Sequence, residues 1–219
     1  MLHRLCINII LLLLITVSCN KDEKNKIHIE GKIYDPNTEE YVSNVLVTIS
    51  ASKLSSGGIF SSGYDEIASI TTDANGTFIF DFQEGKFAGF RITAIREGYF
   101  YFFKELSTSE IIPGTTFLPT YYLYPVCYID MKIKNIVPYD ENDLISYSFT
   151  SGWLGGFECC DNTIHQGSGE YFSDTVFCKT YGNQYVTVTY NVTKEGNTLL
   201  FTQTKYCQAF DTTYFNIQY

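Results

Sequence analysis

Apolar side chains recur at every second position along much of this chain, and that spacing constrains the fold more than any other feature. The alternating runs occur at residues 27–33, 45–49, 78–82, 127–133, 186–192 and 215–219. A period of two places alternate side chains on one face of a strand and buries that face. The content of 18 Tyr and 17 Phe points the same way, because aromatic residues favour pleated, half-buried surfaces. We therefore expect an all-β fold.

Turn-forming residues separate the alternating runs. They cluster at residues 35–38, 55–58, 73–76 and 194–197. At the third of these, Asn75-Gly76 favours a positive φ and predicts a tight hairpin. Many short strands with frequent turns are typical of β-sandwiches. We expect two consecutive sandwich domains, over residues 27–120 and 121–219, with residues 150–183 as a long irregular excursion from the second.

The first of these domains carries an ordered string of motifs. The order runs from Gly31-Lys32-Ile33-Tyr34-Asp35 through Val42-Ser43-Asn44-Val45-Leu46-Val47 and Thr72-Asp73-Ala74-Asn75-Gly76-Thr77-Phe78 to Ile92-Thr93-Ala94 and Glu97-Gly98-Tyr99. This string, within residues 27–106, resembles the carboxypeptidase-regulatory-like, transthyretin-like β-sandwich. The resemblance implies a fold and no activity, since modules of that family are usually non-catalytic appendages.

The first 18 residues have the composition of an export signal. A short basic segment precedes an apolar run from Leu5 to Val17, which is too short to span a bilayer. The run ends at Val17-Ser18-Cys19, which resembles the site that the lipoprotein signal peptidase cuts. We therefore expect residues 1–18 to be removed and Cys19 to carry the lipid. Two or three acyl chains on Cys19 would hold the protein firmly at a membrane.

Residues 19–26 are polar and predict a flexible tether behind the lipid. Within it, Lys21, Asp22 and Glu23 resemble the signal that exports Bacteroidota-type lipoproteins to the outer face of the outer membrane. This resemblance implies a protein that faces the cell exterior, and the alternative is an anchor that faces the periplasm. The net charge of −9 makes nucleic acid an unsuitable partner, because an acidic protein gains nothing from counterion release.

The cysteines beyond the anchor predict disulfides, because an exported protein enters an oxidising compartment. Cys127 lies on the apolar side of a predicted strand, and we expect it to be a buried free thiol. We expect two bridges among Cys159, Cys160, Cys178 and Cys207, which would tie the Cys159-Cys160 loop to the two later segments. The adjacency of Cys159 and Cys160 does not give the paired Cys-x-x-Cys spacing of a zinc site.

No arrangement of residues in this sequence predicts a reaction or a cofactor. The mature chain contains His28 and His165, and neither begins a zinc-peptidase motif. A nucleophile elbow would need Gly-x-Ser-x-Gly, which Gly167-Ser168-Gly169 does not provide. The acidic cluster at residues 140–143 could offer carboxylates, together with Glu158, to a glycosidase or to calcium. A solvated turn is the simpler interpretation of that cluster.

Three hypotheses of function follow. The first is a non-catalytic outer-membrane lipoprotein that binds a ligand or serves as an accessory module of an outer-membrane receptor. Trp153, Phe157 and Tyr171 could then stack on a glycan or a peptide, and the alternative is that they fill the second core, which is the simpler interpretation for Phe157 and Tyr171. The second hypothesis is an extracellular hydrolase that acts on glycans or peptides. The third is a rigid, adhesin-like stalk without a soluble ligand.

Overall fold

A computed structural model describes residues 25–53, 63–151 and 162–219. Sixteen strands form the regular elements of these ranges. The first nine are β1 (Lys26–Asp35), β2 (Glu40–Tyr41), β3 (Leu46–Lys53), β4 (Asp65–Thr71), β5 (Thr77–Gln83), β6 (Phe87–Ile95), β7 (Phe102–Ser107), β8 (Thr116–Phe117) and β9 (Thr120–Tyr122). The others are β10 (Val126–Lys134), β11 (Leu144–Ser151), β12 (His165–Ser168), β13 (Ser173–Tyr181), β14 (Gln184–Lys194), β15 (Asn197–Cys207) and β16 (Thr212–Gln218). The all-β fold expected from the sequence is confirmed.

The first nine strands form two facing sheets. Sheet I has the order β2-β1-β5, and the short strands β8 and β9 pair in parallel with β1. Sheet II has the order β4-β3-β6-β7. The residues predicted to point inward from these strands are buried between the two sheets, among them Ile29, Ile33, Val47, Ile49 and Phe78. Because β9 still pairs with β1, it straddles the predicted domain boundary at residues 120 and 121.

The turn at residues 73–76 differs from the predicted hairpin. It joins β4 to β5, which lie in different sheets, because β4 pairs with β3 and β5 pairs with β1. The Asp73 carboxylate fixes the turn by accepting hydrogen bonds from the Asn75 and Thr77 N–H groups at 2.9 and 2.8 Å. Gly76 has a φ of 68° and donates to the Asp73 carbonyl. The residues are therefore those of a turn, but the turn crosses from one sheet to the other.

The remaining strands form the second sandwich. Sheet III has three strands in the order β13-β10-β16, and sheet IV has four in the order β12-β11-β14-β15. Alternate residues of β10, β14 and β16 meet in the core, as their spacing predicts. The last strand, β16, lies parallel to β10, with Ile129 opposite Thr213. The parallel direction of this pair is not visible in the sequence.

The predicted irregular excursion at residues 150–183 is wrong in part. It contains β12 and the nine-residue strand β13, which pairs with β10 along its whole length. The pattern of β13 is misleading because apolar Phe177 points to solvent, while Thr180 is fully buried in the core layer. A search for alternating apolar residues therefore misses this strand.

The two sandwiches pack directly against each other. The Val126 N–H donates to the Gly98 carbonyl at 2.7 Å, and the Asn37 amide donates to the Gly182 carbonyl at 2.6 Å. Aromatic rings meet around these bonds. The ring pairs are Tyr99 with Phe210, Phe100 with Tyr181 and Tyr124 with Tyr181, with centroids 5.3, 5.0 and 4.4 Å apart. The contact combines backbone hydrogen bonds with a layer of aromatic packing.

Candidate functional site

The longest hairpin of the second sandwich shapes the candidate site. β14 and β15 pair over eleven positions, and the two-residue turn Glu195-Gly196 joins them with φ values of 51° and 74°. Both values suit the type I′ turn that matches the twist of paired strands. The register sets Val192 opposite Leu199 and Tyr190 opposite Phe201, on the face of sheet IV that is turned toward sheet III.

Strand β15 extends beyond the cover of the opposite sheet. Sheet IV has four strands and sheet III has three, and β15 is an outer strand that pairs only with β14 among the described strands. Its core-side residues Leu199 and Phe201 therefore remain 62% and 41% exposed. Apolar side chains on a core-facing surface are thus left open to solvent.

The gap between β15 and β16 is closed at one end and open at the other. At the closed end, Gln203 and Lys205 donate to the backbone carbonyls of Asn216 and Tyr214 at 3.3 and 2.6 Å. At the open end lies a cleft of about 340 Å³. Its lining consists of Val137, Tyr190, Val192, Lys194, Asn197, Leu199, Phe201, Gln218 and Tyr219. The cleft is thus a mainly apolar opening between the two sheets.

The ammonium group of Lys194 is the charged end of this lining. It donates to the Asn135 side-chain oxygen at 2.8 Å and to the Val137 carbonyl, and it lies 3.7 Å from the Asp143 carboxylate. It also lies 5.0 Å from the centre of the Tyr219 ring, within range of a cation–π contact. The charge of Lys194 is therefore already compensated within the protein.

Tyr219 of the lining and the buried Asp143 behind Lys194 have opposite pKa shifts. Burial alone would raise the pKa of Asp143. The carboxylate, however, accepts hydrogen bonds from the Tyr139 and Asp140 N–H groups and from the Asn135 amide, and it lies near the charge of Lys194. These interactions outweigh burial and hold the pKa of Asp143 below its ordinary value. Burial and the Asp143 charge raise the pKa of Tyr219 to about 12. The buried Tyr219 hydroxyl has no hydrogen-bond partner among the described residues. Asp143 is thus ionised at neutral pH and Tyr219 is a neutral phenol.

The lining of the cleft is mainly apolar and carries one charged group. The nine residues that line the cleft include one amine, two phenols and two carboxamides, and the other four are hydrocarbon side chains. None of these nine is a carboxylate, an imidazole, a thiol or an aliphatic alcohol. The lining can surround an apolar group.

The acidic cluster at residues 140–143 is not the solvated turn that we expected. Asp140 and Glu141 are at the surface, but Asp143 is fully buried and holds the turn together through its hydrogen bonds. In the described ranges no three His, Cys, Asp or Glu side chains are grouped as a metal site would require.

The structure describes three of the cysteines named from the sequence. Cys178 is disulfide-bonded, and its partner lies outside the described residues. Cys127 is a buried thiol outside any disulfide, as predicted, but Cys207 is also a buried thiol that is not disulfide-bonded. The prediction of a bridge at Cys207 therefore differs from the structure, because Cys207 lies inside the core against Cys127. Its hydrogen bond to Cys127 lowers the pKa of the Cys127 thiol to about 7.

The other predicted site residues are mostly beyond the described ranges. Tyr171 is described and is 83% exposed, so it does not fill the second core. The remainder are Cys19, Lys21, Asp22, Glu23, Trp153, Phe157, Cys159 and Cys160. The cleft itself was missed. Its one signal in the sequence is the apolar run Leu199-Leu200-Phe201 directly after a turn, which an ordinary half-buried strand would not carry.

The four sheets define an all-β protein of two sandwiches. No protein-family model matches the chain, and no curated protein sequence matches it. Solved structures similar to it include a streptococcal ancillary pilin, at 11% identity over 89% of this chain, with a TM-score of 0.34. The chain spans 63% of the length of that pilin.

Two further solved structures are similar over more of their own length. The shaft pilin SpaA from Lactobacillus rhamnosus GG is 9% identical, with 88% of this chain and 96% of the pilin covered and a TM-score of 0.31. A DUF3823 family protein from Bacteroides uniformis is 11% identical, with 83% of this chain and 99% of that protein covered and a TM-score of 0.29.

Within the described ranges there is no helix of the length and apolarity needed to cross a membrane.

Proposed function

We propose that this protein is a non-catalytic, lipid-anchored module of the outer membrane, facing the cell exterior, and that its cleft holds an apolar side chain of a membrane partner. The observation that carries the proposal is the open cleft between β15 and β16. Core-facing apolar residues rarely remain exposed in a sandwich unless something covers them. Here Leu199 and Phe201 are turned toward sheet III and yet remain open to solvent.

The size and chemistry of the cleft support a side chain as its occupant. Binding cavities commonly measure about 300–1,000 Å³, and the cleft lies at the small end of that range. An aliphatic or aromatic side chain would be surrounded by Val192, Leu199 and Phe201. The compensated charge of Lys194 makes a free anion a poorer fit, because the ammonium group already has its partners.

A pair of neighbouring substitutions tests the cleft. Leu199 and Leu200 are 62% and 64% exposed, but they lie on opposite faces of β15. Burial of a leucine side chain contributes about 1.5–3 kcal/mol. We therefore expect Leu199→Asp to weaken capture of the partner by at least about tenfold in crosslinked pull-downs from intact cells. Leu200→Asp is the matched control and should leave capture unchanged.

Both variants should fold, because each changes an exposed side chain, and equal thermal midpoints would verify this. If Leu199→Asp retains full capture, the cleft is not the site. If the wild-type protein captures no outer-membrane protein, the proposal of a membrane partner is wrong.

The anchor is tested separately at Cys19. Wild-type protein from cells grown with radioactive palmitate should be labelled and Cys19→Ala should not, because the lipid is attached through that thiol. Replacement of Lys21, Asp22 and Glu23 by alanine should keep the protein in the membrane but protect it from protease added to intact cells. Equal labelling of Cys19→Ala would refute the lipid anchor at Cys19.

A further inference from the structure

Three side chains of complementary chemistry meet where β10 and β14 end. Asn135 directly follows β10 in sheet III, Lys194 is the last residue of β14 in sheet IV, and Asp143 precedes β11. The Lys194 amine lies 2.8 Å from the Asn135 side-chain oxygen. The Asn135 side-chain nitrogen lies 2.8 Å from the Asp143 carboxylate, and the same carboxylate oxygen is 3.7 Å from the amine.

These three groups are largely shielded from water. Asp143 is fully buried and Asn135 is 5% exposed, while the Lys194 side chain is 23% exposed. The Tyr219 ring and the backbone of residue 137 cover the amine. An amine, a carboxamide and a carboxylate are thus held together in a site that excludes most solvent, where positioned groups react far more readily than free ones.

We propose that Lys194 and Asn135 join in an internal amide cross-link and that Asp143 carries the protons of this reaction. The bond would connect the two sheets of the second sandwich at the end where β10 and β14 finish. The bond would replace the ammonium group at the charged end of the cleft by a neutral amide, and its test does not require a bound partner.

The reaction balances without any added reagent. Asp143 takes a proton from the Lys194 ammonium, and the neutral amine attacks the side-chain carbonyl carbon of Asn135. That carbon is bonded to the oxygen that the Lys194 amine contacts at 2.8 Å, so a small shift of the lysine side chain brings its nitrogen over the carbonyl carbon. A C–N bond to Lys194 forms, the C–N bond of the carboxamide breaks, and Asp143 protonates the departing nitrogen. Ammonia leaves and takes up the second proton released by the amine, so that ammonium is the by-product and Asp143 is again a carboxylate.

Each residue has a distinct part in this step. Lys194 is the nucleophile and Asn135 supplies the acyl carbon. Asp143 is ionised before the reaction, which is the form that can accept a proton. Its contact with the Asn135 nitrogen at 2.8 Å places the returning proton on the group that leaves. The Val137 carbonyl accepts a hydrogen bond from the amine and orients it.

Tryptic peptide mapping of the full mature chain, purified from the membrane, tests the proposal. Without a cross-link, trypsin releases the peptide of residues 135–179 and cuts after Lys194. With the cross-link, residues 135–179 and 180–205 stay together as one branched species that is lighter by one ammonia than the two peptides. Loss of ammonia at Asn75, which precedes a glycine, would appear in a different peptide.

Substitutions test the role of each residue in the cross-linking reaction. Lys194→Arg keeps the positive charge but cannot form the amide, and Asp143→Asn keeps the shape of the carboxyl group but cannot carry the proton. We expect the branched species to be absent from both. Lys205→Arg, at another lysine of the same sheet, should retain it. Two separate wild-type peptides at full mass would overturn the proposal, and so would a branched species that persists in Lys194→Arg. Its persistence in Asp143→Asn would overturn the role of Asp143.

Discussion

Asp143 shows how a residue that looks solvated in sequence can be a structural centre. The sequence places it in a run of four polar residues, and only the fold shows that its carboxylate accepts bonds from Asn135 and from two backbone N–H groups. Its burial depends on the path of residues 135–143 around the end of the second sandwich. That path is not visible in the local sequence, so the network could not be predicted.

The pKa of Asp143 gives a prediction for acid stability. Because the folded pKa lies below the unfolded value of about 3.9, the stabilising contribution of this group is complete above that value and is lost as the pH falls through the folded pKa. Urea unfolding of the second sandwich between pH 6 and pH 2 should show this decline. Asp143→Asn should be less stable at pH 6 and decline less steeply.

The partly exposed neighbour Asp140 provides the control for that experiment. Asp140→Asn removes a carboxylate from the same turn without changing a buried group, and its profile should follow that of the wild type. If Asp143→Asn and the wild type decline with equal steepness, Asp143 does not have a depressed pKa in the folded protein.

At the scale of elements, the alternating pattern identified strands that have one buried and one solvated face. β14 is the clearest case, since Val186, Val188, Tyr190 and Val192 are buried and the residues that alternate with them are partly exposed. The pattern fails for β15, where ten of eleven residues are partly or fully exposed and only Cys207 is buried. The cleft depends on β15, and this is why the fold was predictable and the site was not.

The β14–β15 turn offers a test at the same scale. Glu195 adopts a φ of 51°, which is unfavourable for a residue with a Cβ, and Asn tolerates it better. Glu195→Asn should therefore raise the free energy of unfolding by about 1 kcal/mol. The substitution also removes the exposed hydrogen bond that the Tyr139 hydroxyl donates to the Glu195 carboxylate, which reduces this gain by a small amount. Chemical denaturation measures the change. An unaltered or lowered stability would contradict the type I′ geometry.

At the scale of the whole molecule, the aromatic contact between the sandwiches predicts a rigid pair. The Tyr181 ring packs on Tyr124 at 4.4 Å and on Phe100 at 5.0 Å. Tyr181→Ser should leave both sandwiches folded but allow them to move relative to each other. Small-angle X-ray scattering should fit a single arrangement for the wild type and a broader set for the variant. A wild-type profile that requires several arrangements would disprove the rigid contact.

The directions of β1 and β10 determine how far the cleft lies from the anchored end of the protein. β1 runs ten residues from the tether side of the first sandwich to its contact with the second, and β10 runs nine residues onward from that contact. At about 3.3 Å per residue, β1 is roughly 33 Å long and β10 is roughly 30 Å long. The cleft lies beside the far end of β10, near Val137 and Tyr219. With a lipid on Cys19, the first sandwich would act as a spacer between the bilayer and the sandwich that carries the cleft.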